Sequence, residues 1–564
     1  MPSKDDTIKP SYMHNGSEKP LIWSTIGDRL KHAADNYPDN DAIVAVWRNE
    51  RYTYEHFYKI CRGAAKGLMH MGVKKGDRVG IWATNYTEWV ITQFSTAMIG
   101  AVLVTINPAL REHKLEYVLR DSECQTLILI EKFKSSKYLE MFYNVFPEAK
   151  EQMPGKLHSF KFPYLKNVII LSKEGRPGLY TSNDVLVKGK MVSNEELVNL
   201  QKDLDPDDVI NIQYTSGTTG FPKGASLTHH NIINNAYFVG ENLRFTHKDR
   251  LCIPVPFYHC FGMVLSNMLC VNYGATMVIP NEFFDPLLTL KAVEKEKCTA
   301  MHGVPTMFIA QIEHPEFDKI NLSTLRTGIM AGAPCPIELM KKVREKMGIK
   351  DITICYGLTE ASPVTNQTRF DDPVEIRVET VGKPLQHTEI KIIDPDTGRV
   401  VPFGCQGEIC VRGFQVMRGY HNKPIETKIA VDENGWLHTG DLGALDEQGY
   451  CRITGRLKNM IIRGGENIYP REIEEYLHTH DDIVDVHVFG VPDKKYGEEI
   501  AAWIKIRKKS SVTEADIKNY CHGKISHQKI PRYIKFVDEF PMTVTGKIQK
   551  FRMKEVYTEE LGLK

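Results

Sequence analysis

The segment YTSGTTGFPKG, Tyr214 to Gly224, concentrates hydroxyls, glycines and one lysine in a pattern suited to a row of phosphates. Thr215, Ser216, Thr218 and Thr219 offer hydroxyl donors, Gly217 and Gly220 let backbone amides turn inward, and Lys223 adds a cation. The loop of kinases and nucleotide hydrolases requires GxxxxGK followed by Ser or Thr. Here the lysine follows proline and precedes glycine, so a phosphate grip of another kind is expected. ASLTHHN then reads as the start of a helix, with Thr228 as a plausible cap.

Further loops add complementary chemistry. In YGLTEASP, after the apolar run DITIC, Thr359 can donate to an α-phosphate oxygen, Glu360 can coordinate magnesium, and Tyr356 with Gly357 can lie beside adenine. Taken alone, Glu360 could equally be a helix-start residue. GAPCP, with Gly332, Ala333 and Pro334, can supply backbone contacts to a base. WLHTGDLG puts Asp441 at an expected strand-to-loop transition, where a carboxylate can accept both ribose hydroxyls, and Arg456 is its natural companion. Either could also be a surface salt-bridge residue. Lys547, in PMTVTGKIQK, reads in isolation as part of a solvated turn. It acquires a task if a carboxylate attacks the α-phosphate of ATP, because an ammonium can then stabilise the developing negative charge. No side-chain nucleophile is needed for that attack, since the carboxylate is already ionised, so catalysis would be positioning and charge neutralisation.

These loops need a large scaffold. At 564 residues the chain exceeds a single core, and 42% hydrophobic with 25% charged residues is the balance of a soluble globular protein. The formal charge of +1 gives no net pull toward nucleic acid, and no nucleic-acid partner is expected. Apolar runs such as RVGIWA, AVLVTI, QTLILI, NVIIL, ATMVIP and ITICY alternate with helical patterns such as PLLTLKAVEKEK and PIELMKKVREKMG, the signature of buried parallel strands. The predicted fold class is α/β: a large N-terminal body, residues 1–456, of sheets flanked by helices, with a small β-rich subdomain from Glu389 to Arg412. A small α+β domain, residues 457–564, follows and ends in a basic tail.

The uncharged stretch Trp89 to Leu110 is long enough to span a bilayer. Its Thr, Gln, Ser and Asn content and Gly100 favour a buried helix followed by a strand, so no transmembrane span is expected, while peripheral membrane contact stays open. Twelve cysteines without a CxxC pair read as buried free thiols in a reducing compartment, with no cluster at structural-zinc spacing near Cys405 and Cys410. The polar N-terminus carries no signal or transit pattern, which predicts a cytoplasmic location.

Through YTSGTTGFPKG, PFYHCFG, YGLTEASP, GWLHTGDLG, GRLKNMIIRGGENIYPREIE and PMTVTGKIQK, the chain resembles the fatty acyl-CoA synthetases of the adenylate-forming superfamily, in a medium-chain-like branch. The resemblance spans nearly its whole length. It implies ATP, Mg2+ and coenzyme A acting on a small-molecule carboxylic acid, by way of an acyl-adenylate, in a monomer or homodimer. The resemblance also implies that Lys547 is the adenylation lysine, that Thr215 to Lys223 handle the β and γ phosphates, and that Lys458 is the hinge of a mobile C-terminal domain. Gly464, Gly465 and Glu466 would then swing toward the pantetheine channel. Tyr258, His259 and Phe261 would stand where acyl pocket and coenzyme A tunnel meet, with His259 a gate rather than a base. HGVPTMF and LRTGIMAG, including Val304, Met330 and Ala331, would continue an apolar wall. A pocket for an aromatic or alicyclic acid is the alternative.

Overall fold

The computed structural model describes residues 9–215, 222–333, 335–464, 466–508, 510–542 and 548–563. The apolar runs form parallel strands as expected. Arg78–Trp82, Val102–Thr105, Thr126–Leu129 and Asn167–Ile170 lie in one sheet of eight strands. Arg250–Cys252, Thr276–Ile279, Ala300–Gly303, Thr327–Ala331 and Asp351–Gly357 lie in a second, of nine. Helices cover these sheets, and strands buried on both faces need side chains that are apolar throughout. The suspect stretch from Trp89 resolves into all but the first two residues of helix Thr87–Met98 and the strand Val102–Thr105, joined at Gly100 with φ of +66°. No helix among the described residues is long and apolar enough to cross a membrane.

The β-rich subdomain is larger than its sequence signal. Thr388–Ile393 and Gly407–Gly413 pair antiparallel, and Leu437–Leu445 and Cys451–Arg456 extend the sheet on one side. On the other side Tyr12–Asn15, from the far end of the chain, adds an edge strand with Tyr12 opposite Lys391.

The C-terminal α+β unit has its own mixed sheet, built on the long hairpin Ile483–Asp493 and Gly497–Ile506, with Tyr533–Phe536 parallel to the latter. The basic tail is not irregular: Lys550–Glu560 is a helix that buries Met553 and Tyr557 against Phe489, Val491 and Trp503. Those two residues stand four apart, one above the other on a helix face, and the polar remainder of the segment masks them in the sequence.

The same helix places Lys550 beside a buried carboxylate. Glu474, in helix Pro470–Leu477, accepts from Lys550 Nζ and from the Val488 N–H. Burial pushes this carboxyl up, but Lys550, His487 and the hydrogen bonds outweigh it and hold the group below the ordinary glutamate range. A depressed carboxylate contributes stability that is complete above its unfolded pKa and is lost as pH falls through the folded one. Lys550→Gln should therefore cost about 2 kcal/mol near neutrality and flatten the loss of stability below about pH 4. Urea unfolding at a series of pH values checks this; parallel pH profiles for parent and variant would contradict it.

Candidate active site

The chemistry-bearing loops meet where the nine-stranded sheet abuts the β-rich subdomain. Near the end of Asp351–Gly357 stands Tyr356, whose hydroxyl donates to Asp441 Oδ2 at 2.8 Å. Arg456 stands opposite Asp441 in the register of Leu437–Leu445 and Cys451–Arg456, and its Nε donates to Oδ1 at 2.5 Å. Asp441 is 3% exposed, so a half-exposed guanidinium and a tyrosine clamp a buried carboxylate. Asp441 lies inside a strand rather than at the expected strand-to-loop transition. An irregularity in the pairing and Gly440, with φ of +68°, bend the strand there and aim the side chain.

Beyond Tyr356 the chain turns into the short helical segment Thr359–Ala361. A Cβ on Gly357 would lie 1.9 Å from the Pro363 carbonyl oxygen, so this turn accepts only glycine. Glu360 Oε1 accepts from the Tyr420 hydroxyl at 2.6 Å, and Lys223 Nζ sits 5.1 Å from the centroid of the same tyrosine ring. The charge of Glu360 is felt by Arg456 and by the thiol of Cys260, which ties the segment to both Asp441 and the PFYHCFG turn.

Lys223 reaches this point through a strand. Lys223–Thr228 pairs antiparallel with Val209–Thr215, Thr215 opposite Lys223, so the phosphate-loop candidates connect a hairpin and the helix starts only after KGASLT. The expected cap is present: Thr228 accepts from the Asn231 N–H at the start of His229–Asn242. Tyr214 points elsewhere, donating to Asp121 Oδ2 at 2.8 Å, where Tyr117 and Lys423 also converge. Ser216, Gly217, Thr218, Thr219, Gly220, Pro334, Gly465 and Lys547 lie outside the described residues.

The apolar side of the site includes the PFYHCFG turn, whose Cys260 lies within reach of the Glu360 charge. Tyr258, Phe261, Val304 and Ala331 share one buried cluster. The Tyr258 hydroxyl is buried with no hydrogen-bond partner among the described residues. His259 Nδ1 accepts from the Phe261 N–H at 3.1 Å and caps Cys260–Gly262, which supports a structural reading of this histidine over a base. Phe261 packs 5.6 Å from His302, and burial pulls His302 down to about 4, so it is neutral. Its Nδ1 accepts from the Ile329 N–H and its Nε2 faces the Leu265 carbonyl, as the neutral ring requires.

Met330 does not belong to this wall. Strand alternation sends Ile329 and Ala331 to the Phe261 cluster and Met330 to the other core, with Leu339 and Met340. Gly332, with φ of +85°, turns the chain at the strand end, its absent Cβ 3.2 Å from Val304, and Ala333 follows. In the C-terminal unit Lys458 lies in the turn Leu457–Asn459, directly after Arg456. Gly464 turns the following hairpin with φ of +61°, and Glu466 accepts from Gln528. Tyr420 and Asp121 were not singled out by sequence; the only available signal was a tyrosine after glycine in RGYHN and an aspartate ending a helix.

The chain belongs to the AMP-binding enzyme family: the family model matches residues 30–421 and the AMP-binding enzyme C-terminal domain model residues 472–547. It is an ATP-dependent, adenylate-forming enzyme of the acid–thiol ligase class, related to the acyl-CoA synthetases. It is 54% identical over 543 residues, 96% of this chain and 99% of the relative, to YngI of Bacillus subtilis (strain 168), which carries a provisional acyl-CoA synthetase name. To the mitochondrial medium-chain acyl-CoA ligase ACSF2 of Danio rerio it is 44% identical over 564 residues, 100% of this chain and 93% of that one. ATP-bound MatB from Rhodopseudomonas palustris superposes with a TM-score of 0.81 at 27% identity, covering 95% of this chain and 99% of that one. The cytoplasmic expectation does not stand, because a relative aligned along the whole chain is mitochondrial. An N-terminus without a targeting pattern does not determine a compartment.

Proposed function

We propose that the chain converts a medium-chain fatty acid, ATP and coenzyme A into acyl-CoA, AMP and pyrophosphate. The observation that carries this reading is the convergence of Tyr356, Asp441 and Arg456 with Glu360, Tyr420 and Lys223 beside an apolar cluster that contains the Tyr258 hydroxyl, which has no partner among the described residues. Asp441 would accept the ribose hydroxyls with Arg456 beside it. Gly332, Ala333, Pro334, Tyr356 and Gly357 would flank the base, and the loop from Thr215 to Lys223 would hold the β and γ phosphates. Thr359 would meet the α-phosphate.

Glu360 fits a magnesium ligand. It is a hard oxygen donor whose Oε1 is oriented by Tyr420, and Mg2+ is commonly held by one or two carboxylates together with substrate phosphates. When bound, the ion would neutralise triphosphate charge. The fatty carboxylate oxygen attacks the α-phosphorus as the bond to pyrophosphate breaks, and the coenzyme A thiolate then displaces AMP from the acyl carbon. Tyr258, Phe261, Val304 and Ala331 would line the acyl side, and the medium-chain name of the Danio rerio relative supports this chain length. Residues 1–456 and 457–564 would turn about Lys458 between the two steps, exchanging Lys547 for Gly464, Gly465 and Glu466, because each step needs a different partner at one centre.

Pyrophosphate release with acetate, octanoate, palmitate, benzoate and cyclohexane carboxylate, with and without coenzyme A, tests the reading. Octanoate should give the highest kcat/KM, with octanoyl-CoA formed only when coenzyme A is present. Turnover confined to benzoate would overturn the substrate, and pyrophosphate release that never yields a thioester would overturn the ligase reading.

A further inference from the structure

Beside the nucleotide site, neighbouring strands gather three side chains of metal-ligand chemistry. Cys410 and His438 are register partners across Gly407–Gly413 and Leu437–Leu445, with Sγ and Nδ1 3.6 Å apart. Glu408, two residues before Cys410 and so on the same strand face, has Oε2 at 3.0 Å from the same Nδ1. The donor atoms of all three lie within 4.8 Å of one another, a combination found nowhere else among the described residues. Spacing along the chain hides it, since Cys410 and His438 are 28 residues apart.

We propose that Glu408, Cys410 and His438 form a binding site for a thiophilic divalent cation of the Zn2+ class. Tetrahedral zinc holds sulfur at about 2.3 Å and imidazole nitrogen at about 2.0–2.1 Å, which sets an S···N edge of about 3.5 Å. The observed edge matches. Behind the ring, Asp432 Oδ2 lies 3.9 Å from His438 Nε2, the place of the carboxylate that orients a metal-bound imidazole through its other nitrogen. Glu408 Oε1 is occupied by the Gly440 N–H at 3.0 Å, which leaves Oε2 for the ion. Cys410 is buried beside Ile393 and Trp436, and the ion enters from the side of the partly exposed His438 and Asp432. On binding, the Cys410 thiol proton and the proton that bridges His438 Nδ1 and Glu408 Oε2 both leave to solvent or to the ring's other nitrogen, so that the neutral imidazole presents a bare Nδ1 to the ion and carries its proton on Nε2. The ion would thereby pull on the His438–Gly440 corner that carries Asp441; this coupling, unlike the site, rests on the ribose reading of Asp441.

Titration of the full chain with Co2+ as a stand-in should give a saturating thiolate-to-cobalt charge-transfer band at one equivalent. Cys410→Ser should abolish the band and Cys405→Ser leave it intact. Asp432→Asn, which removes the carboxylate charge facing the ring's second nitrogen while its amide oxygen can still accept from the Asn434 and Trp436 N–H groups, should weaken binding about 10–100-fold and serves if the serine variant misfolds. A band that never saturates, that survives Cys410→Ser, or that ignores Asp432→Asn would overturn the site. One equivalent of Zn2+ in excess Mg2+ should raise the KM for ATP severalfold in the parent and not in Cys410→Ser. An intact band with an unchanged KM supports the site and overturns only its coupling to Asp441.

Discussion

Lys547→Ala slows formation of the acyl-adenylate by about 10³-fold, roughly 4 kcal/mol, and leaves thioester formation from supplied acyl-adenylate within about tenfold of the parent. The asymmetry is the diagnostic part. In the first half-reaction, charge develops on the α-phosphate and the incoming carboxylate oxygens, and an ammonium aimed at them in a dry site has no substitute in water. In the second, negative charge develops on the departing AMP phosphate and at the acyl carbon, but the proposed domain turn has by then exchanged Lys547 for other groups, so its loss is not felt there. Two separate assays check it: carboxylate-dependent exchange of labelled pyrophosphate into ATP, and acyl-CoA release from synthetic acyl-AMP. Equal losses in both would remove Lys547 from the role proposed for it and leave its position in TGK as that of a domain-packing residue.

Asp441→Ala lowers kcat/KM for ATP by several hundredfold, about 3–5 kcal/mol. The carboxylate is 3% exposed and already oriented by Tyr356 and Arg456 before any nucleotide arrives. Two charge-assisted hydrogen bonds to ribose hydroxyls would be worth about 1.5–3 kcal/mol each, since the cost of ordering the acceptor is met in advance. Truncation also deprives the Tyr356 hydroxyl and the Arg456 guanidinium of their shared partner, and part of the loss is that of polar groups left unsatisfied. Steady-state kinetics with ATP varied and the fatty acid saturating measures it. Asp441→Asn, which keeps the shape and one acceptor, should recover about tenfold of the loss. An alanine variant with unchanged dependence on ATP would assign the Tyr356–Asp441–Arg456 clamp to stability alone.

Strands such as RVGIWA and ITICY are readable because a strand buried on both faces is one unbroken apolar run. KGASLT is not, since glycine, serine and threonine dilute its pattern, yet the cap at its end, Thr228, is legible because capping involves residues three apart. Tyr12–Asn15 carries no signal of the Lys391 strand it joins, nor does Lys550–Glu560 of the strands that bury Met553 and Tyr557. Partners so distant in the chain leave no local period. Tyr420 went unseen for the same reason, its contact with Glu360 spanning 60 residues.

The chemical inventory is legible in the chain alone: a hydroxyl and glycine loop with Lys223, the carboxylates Glu360 and Asp441, Lys547, and most of the elements that present them. Inventory and local elements follow from side-chain chemistry and from interactions within a few residues. Which groups meet is set by the folding of distant segments onto one another. Folding brought Tyr356 to Asp441 across 85 positions and gathered Glu408, Cys410 and His438 on adjacent strands. It also split Met330 from Ala331 between two cores. Alternation along a strand says that both faces are buried, but the identity of the core on each face is set by how whole sheets and helices pack, which no single stretch of chain encodes.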